Sequence, residues 1–222
     1  MQTGKLVKVL AVAGGLLILA VLWFTIARPI VVLPRQRLSP GYLLVEKNGN
    51  SYSSDQQRGK LTLYSFAFTS CGERCATLYQ LLNELAGKII EAGLTQPPLE
   101  FITISVDWQH DTPQTLSSFL QPVQTSPVPW VWLTGEEKRI KNVVGTGFDV
   151  AFQVQPDGSI FLDPILVLVD GEGVIRGSFD LSATNADQLV YYIDLLHKEI
   201  AQTTGAGKIA YEAAHFFACY PH

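Results

Sequence analysis

Cysteine is scarce in this 222-residue chain, with three in all, and basic residues are scarce beyond its N-terminal stretch. The first 29 residues hold three basic groups and no acids, leaving 13 basic against 20 acidic after them, a net charge of −7. That acidity argues against a nucleic acid partner and leaves basic proteins or cations. There is no internal repeat and no low-complexity tract, which excludes solenoid and array architectures. No histidine occurs between His110 and His197, and no charge at all between Val9 and Ala27.

The uncharged run is 19 residues long. As a helix it spans roughly 28 Å, about the thickness of a bilayer hydrocarbon core. Lys5 and Lys8 precede it, and Trp23 stands near its far end, where aromatic rings favour the interface. A cleavable signal peptide would carry an apolar region of about 7–15 residues and a small-x-small site. Thr25-Ile26-Ala27 is a poor one, so residues 1–29 are expected to be an uncleaved single-pass anchor. Arg28, Arg35 and Arg37 blunt the charge asymmetry. The expected topology keeps the short basic N-terminus inside the cytoplasmic membrane and the main domain on the periplasmic side.

Residues 30–40 contain two prolines, Pro34 and Pro40, and read as a spacer. Tyr42 to Tyr52 reads as a hairpin turning at Lys47-Asn48-Gly49-Asn50. Leu61 to Phe68, Phe101 to Val106, Trp130 to Leu133 and Ile165 to Val169 are strand-like runs, and Val174 to Phe179 returns after the turn 170–173. Helical spacing predicts helices over Ala76 to Ala92, Thr112 to Leu120, Glu136 to Val144 and Asn185 to Ile200, with a further short one over Lys208 to Ala218. Asp111-Thr112-Pro113 supplies a cap residue and an early proline for the second of these. Strands alternating with helices, closed by an antiparallel hairpin, predict an α/β thioredoxin-like domain over residues 41–204, with a C-terminal extension over 205–222.

Two of the cysteines, Cys71 and Cys75, are separated by Gly72-Glu73-Arg74, after a buried strand and at the start of a helix. A strand's C-terminal edge is where α/β folds place chemistry. A helix N-terminus, and Arg74 nearby, would stabilise a thiolate. Cys71 is expected to be the more exposed, attacking thiol and Cys75 the resolving one. Four positions apart on one helical turn, they could bridge or share one soft ion.

Four segments resemble the Sco/SenC family in the correct order. FAFTSCGERCATL (66–78) is similar to its F-x-x-T-x-C-P-x-x-C-P-x-x-L block, and ITISVDWQHDTPQTLSSFL (102–120) to its T-I-S-V-D-P-x-R-D-T-P segment. WVWLTG (130–135) and ILVLVDGEGVIRGSF (165–179) match the W-x-x-L-T-G motif and the closing hairpin. The likeness covers roughly residues 40–200. It implies a thioredoxin fold and a part in building the copper centre of cytochrome c oxidase. Copper would be held by the two cysteines and a distant histidine, or the target's cysteines reduced.

The sequence departs from that pattern at the third ligand. The family's histidine lies eight residues before the strand-terminal Asp170, and counting back reaches Leu162. Pro164 instead stands where thioredoxins and related oxidoreductases carry a proline that is cis and packs on the cysteines. Gly72 and Ala76 replace both prolines of the cysteine motif. Two thiolates still suit Cu(I), whereas Cu(II) wants imidazole, so the balance moves toward thiol chemistry at Cys71, Cys75 and Pro164 with Cu(I) optional.

His215, Cys219 and His222 place three further candidate metal ligands in an aromatic tail, which reads more readily as a partner- or membrane-binding segment. His110, beside Asp107 and Asp111, reads as a polar loop residue, His197 as part of a helix surface or core, and Glu73 as solvent-exposed. The expected function is membrane-anchored assembly of a copper oxidase by thiol–disulfide exchange. The expected partner is an oxidase subunit or another protein of a membrane respiratory complex. A general extracytoplasmic oxidoreductase and an accessory subunit keeping the fold for contacts are the alternatives.

Overall fold

The computed structural model describes residues 2–27, 32–120 and 126–201, without the side chains at 2, 3, 6, 17, 20, 24–27, 74 and 120. Its contacts divide into a unit of residues 35–197 and another of residues 1–34 with 198–222. In the latter, α1 (Gln2–Ala27) carries the uncharged run. With the side chains just named outside the description, no helix among the described residues is long and apolar enough to cross a membrane. The expected helix over 208–218 lies outside the described residues.

The larger unit is built on a mixed sheet. Its strands in chain order are β1 (Arg37–Leu38), β2 (Leu43–Glu46), β3 (Ser51–Ser53), β4 (Leu61–Ala67), β5 (Leu99–Ser105) and β6 (Trp130–Thr134), then β7 (Phe152–Val154), β8 (Ile160–Leu162), β9 (Ile165–Val169) and β10 (Val174–Asp180). Eight of these run β1-β10-β9-β4-β5-β6-β2-β3 across one sheet, while β7 and β8 form a separate pair. β4, β5 and β6 are parallel; β9, β10 and β2 join antiparallel. The helices are α2 (Glu73–Glu91), α3 (Pro113–Leu120), α4 (Glu137–Ile140) and α5 (Ala186–Ala201).

All seven residues of β4 and of β5 are buried, as expected of central parallel strands covered on both faces. Alternation splits them. Tyr64, Phe66, Ile102 and Ile104 join Ile140, Val144 and Phe148 in one cluster. Leu61, Leu63 and Phe101 point the other way, where Phe101 meets Trp130 edge-on at 6.2 Å. On that second face Tyr79 of α2 and Phe119 of α3 pack on Trp132, at 6.2 and 5.9 Å. Lys88 of α2 reaches Asp187 of α5 at 2.7 Å. Ser65 and Thr103 on this side satisfy each other at 2.7 Å, and Trp130 Nε1 donates to Thr103 at 2.8 Å.

Three features differ from the sequence reading. The supposed spacer at 30–40 contributes β1, which pairs Arg37 with Ile175 and Leu38 with Val174 at the sheet's edge. The helix over Glu136 to Val144 is a single α turn, followed by a π-helix over Lys141–Gly147. The β7–β8 hairpin has too few alternating apolar residues per strand to announce itself.

Candidate functional site

Cys71 and Cys75 lie off the C-terminal end of β4, where the chain leaves the sheet. The ladder extends one step beyond the strands, with Val106 N–H donating to Ala67 O at 3.0 Å. Cys71 N–H then closes a turn onto Phe68 O at 3.2 Å. The two cysteines form a disulfide, with Cα atoms 5.7 Å apart. Cys75 is 5 % exposed, packed at the base of α2, with its sulfur 3.6 Å from Phe68 O. Cys71 is half-buried against the edge of the Tyr64–Phe66 cluster. Cys71 is therefore the outer sulfur of the pair and Cys75 the inner one.

The pair does not sit on one helical turn as the spacing suggested. α2 begins at Glu73 with Gly72 as its N-cap, so Cys71 belongs to the preceding turn and only Cys75 to the helix. Gly72 adopts φ +60° and ψ −132°, a region that side chains with a Cβ rarely enter. Proline, held near φ −65°, cannot enter it, so the family's proline at this position is incompatible with the loop seen here. Ala76 N–H donates to Gly72 O at 3.3 Å, a bond that the motif's second proline could not make.

The cysteine loop is held by a carboxylate that the sequence reading took for part of a helix cap. Asp111, wholly buried, accepts the Thr69 N–H at 2.9 Å and the hydroxyls of Thr69 and Ser105. Thr112 supplies the cap of α3 instead, accepting the Thr115 N–H at 3.2 Å. Burial, and then the Asp111 charge, push the Tyr79 hydroxyl above its ordinary range. A threonine two residues before the first cysteine and an aspartate in the D-T-P segment were visible in the motifs; that they bond each other was not.

His110 is solvent-facing, its side chain 71 % exposed, with Nδ1 2.9 Å from the buried Asp107 carboxylate. It behaves as the loop residue expected. His197 is buried, and desolvation lowers its pKa. Glu73 is exposed in the first turn of α2. Leu162, at the position counted for the missing histidine, is half-buried and packs against the same cluster as Cys71. The expectation for Pro164 fails. Among the described residues the one cis peptide bond is Gln96–Pro97, and Pro164 is exposed, its carbonyl accepting from Leu181 N–H at 2.7 Å. Ile165, the next residue, is the one that packs on the cluster. His215, Cys219 and His222 lie outside the described residues. Among the described residues no group of three or more His, Cys, Asp or Glu side chains could hold a metal ion. Among the described residues the cysteine pair alone offers soft donors.

A family model described as SCO1/SenC matches residues 32–196. A protein of Stutzerimonas stutzeri named for copper binding is 28% identical over 151 residues, covering 67% of this chain and 72% of its own. The crystal structure of Arabidopsis thaliana ScoI with copper bound superposes with a TM-score of 0.63 at 23% identity, covering 74% of this chain and 99% of that one. BsSco, described as a Sco-family cytochrome c oxidase assembly protein with a disulfide switch, superposes with a TM-score of 0.63 at 20% identity, covering 76% and 98%. At those identities the superpositions speak for the fold.

Proposed function

The chain belongs to the SCO1/SenC family, and from that premise we propose that it serves assembly of a respiratory oxidase copper centre by thiol–disulfide exchange at Cys71 and Cys75. The observation that carries this reading is the bridged pair at the end of β4, its outer sulfur half-buried and its inner one enclosed. The surroundings support redox use over a three-ligand copper site, because Leu162 stands where the family's histidine would.

In the reduced protein the Cys71 thiolate attacks one sulfur of a partner disulfide, forming a mixed disulfide and releasing the partner's other sulfur as a thiolate. The Cys75 thiolate then attacks Cys71 Sγ, which forms the Cys71–Cys75 bond and frees the partner's second thiolate. Two electrons pass from this dithiol to the partner, and two from a dithiol reductant protein restore it. The N–H groups of the first turn of α2 favour the thiolates. Asp111 holds the loop that presents Cys71.

Copper enters this reading as cargo. Two soft thiolates suit Cu(I), and Cu(II) is disfavoured without an imidazole. The uncharged run in α1 supports an anchor in the cytoplasmic membrane, with the domain facing the periplasm and an oxidase subunit as partner. Anaerobic Cu(I) titration of the full chain in detergent, after reduction, tests the site. One Cu(I) per chain, lost in Cys71→Ser, is expected of a carrier. No uptake, together with a reversible dithiol couple near those of reducing thioredoxins at about −270 mV, would leave exchange alone. A bridge that dithiothreitol does not open would overturn the reading.

A further inference from the structure

One strand of the separate pair, β7, has an open edge. β7 pairs only with β8 among the described residues. Asp163 N–H donates to Ala151 O at 2.9 Å and Gln155 N–H to Ser159 O at 2.8 Å, with Gln153 opposite Phe161 between them. In an antiparallel pair these alternate residues face the partner strand, so Phe152 and Val154 turn their N–H and C=O groups away from it. Neither outward set has a hydrogen-bond partner among the described residues. Unpaired edges of this kind are templates for another strand.

The open edge lines a cavity of about 660 Å³, which Trp108, Glu137, Lys141 and Asp149 also line. Lys141 is already engaged, 2.6 Å from Glu137 and with its ammonium 5.2 Å from the Trp108 ring centre. Asp149 is exposed, with no hydrogen bond or ion pair to its carboxylate among the described residues. The cavity is left with one uncompensated negative charge. Trp108 meets Phe152 edge-on at 6.3 Å, and both pack on the cluster that Cys71 and Leu162 also touch. Trp108 sits just past the end of β5, whose neighbour β4 leads to Cys71.

We propose that the open edge of β7 takes up the cysteine-bearing segment of the partner protein as an added strand, with a basic side chain of that segment meeting Asp149. Backbone pairing supplies affinity without demanding a particular sequence, and the charge sets the register. This inference rests on the thiol-exchange reading above. An extended chain is the occupant because the groups on offer are N–H and C=O at a two-residue repeat.

The probe is a ten-residue peptide of alternating valine and threonine carrying one cysteine and one lysine. Its thiolate attacks Cys71 Sγ of the oxidised full chain, breaking the Cys71–Cys75 bond, forming a peptide–Cys71 disulfide and releasing the Cys75 thiolate. Mass spectrometry of quenched samples follows the rate. Single backbone N-methyl groups moved along the peptide should slow it about tenfold at every second position and leave the alternate positions unchanged. Replacing the lysine by glutamate should slow it several-fold, and Asp149→Asn should abolish that difference, asparagine tolerating the positive φ of 60° at this position. Val154→Pro removes one outward N–H without touching the β7–β8 bonds and should erase the two-residue pattern. The peptide series needs no variant to fold. A flat N-methyl profile with normal opening of the bridge by dithiothreitol would overturn strand addition and leave thiol exchange standing. A bridge that dithiothreitol cannot open would sink both. Concentration-dependent dimers with a flat profile would give the edge to a second copy of this chain.

Discussion

Replacing Asp111 tests whether one buried carboxylate holds the cysteine loop. Its two oxygens accept one backbone N–H and two hydroxyls, and no part of it reaches solvent. A hydrogen bond to a charged group contributes about 1.5–3 kcal/mol, and an orphaned buried donor costs about 1–3 kcal/mol. The three bonds do not add, because the hydroxyls of Thr69 and Ser105 can rotate toward other acceptors. The Thr69 N–H cannot. Asp111→Ala should therefore cost ~3–5 kcal/mol. Asp111→Asn keeps one carbonyl oxygen where Oδ2 stands and presents its amide to the Thr69 hydroxyl, which can turn to accept. That change should cost ~1–2 kcal/mol. For a domain of this size each kcal/mol shifts Tm by about 2–4 °C, so the alanine variant should melt roughly 10 °C lower and the asparagine variant roughly 4 °C lower. Urea titration followed by tryptophan fluorescence gives the free energies directly. Dithiothreitol should open the bridge faster in the alanine variant, because Thr69 no longer tethers the loop. An alanine cost below ~1 kcal/mol would refute the clamp, and so would equal costs for the two variants.

Arg176 and Asp170 form a buried pair at 3.0 Å, and Asp170 also accepts the N–H groups of Glu172 and Val174 in the closing turn. Arg176→Leu strands that carboxylate and should cost ~3–5 kcal/mol by urea titration. Gly147→Ala would bring a methyl group 2.5 Å from Pro40 Cβ, and should destabilise by ~1–3 kcal/mol through overpacking. His197 has its folded pKa lowered by desolvation, so below about pH 6.5 the unfolded chain binds the proton more readily and stability falls as pH falls. His197→Gln should flatten that limb of a stability-against-pH curve, and an unchanged slope would refute it.

The sheet was legible because its signal is local. Leu61 to Phe68 and Ile165 to Val169 are dense enough in apolar residues to be central strands whatever surrounds them. The helices over α2 and α5 announce themselves by spacing. The π-helix at Lys141–Gly147 and the pairing of Arg37 with Ile175 did not, the latter because it joins segments far apart in sequence. Pro164 misled because spacing alone does not say which residue faces the core. Its spacing from Asp170 matched a cis proline, but the local chain puts Ile165, not Pro164, against the cluster.

Residue identity alone determined that two soft donors stand four apart between a buried strand and a helix, and that no histidine can join them from the segment before Asp170. Those are facts of composition and order. Only the tertiary structure decided that Cys71 lies outside the helix, because a positive φ at Gly72 turns the chain before α2 begins. It also decided that Asp111 faces inward to hold the loop, and that β7 keeps an open edge. Each of these joins residues from separate elements, and the energy that selects them comes from burial and pairing across the fold rather than from any one segment.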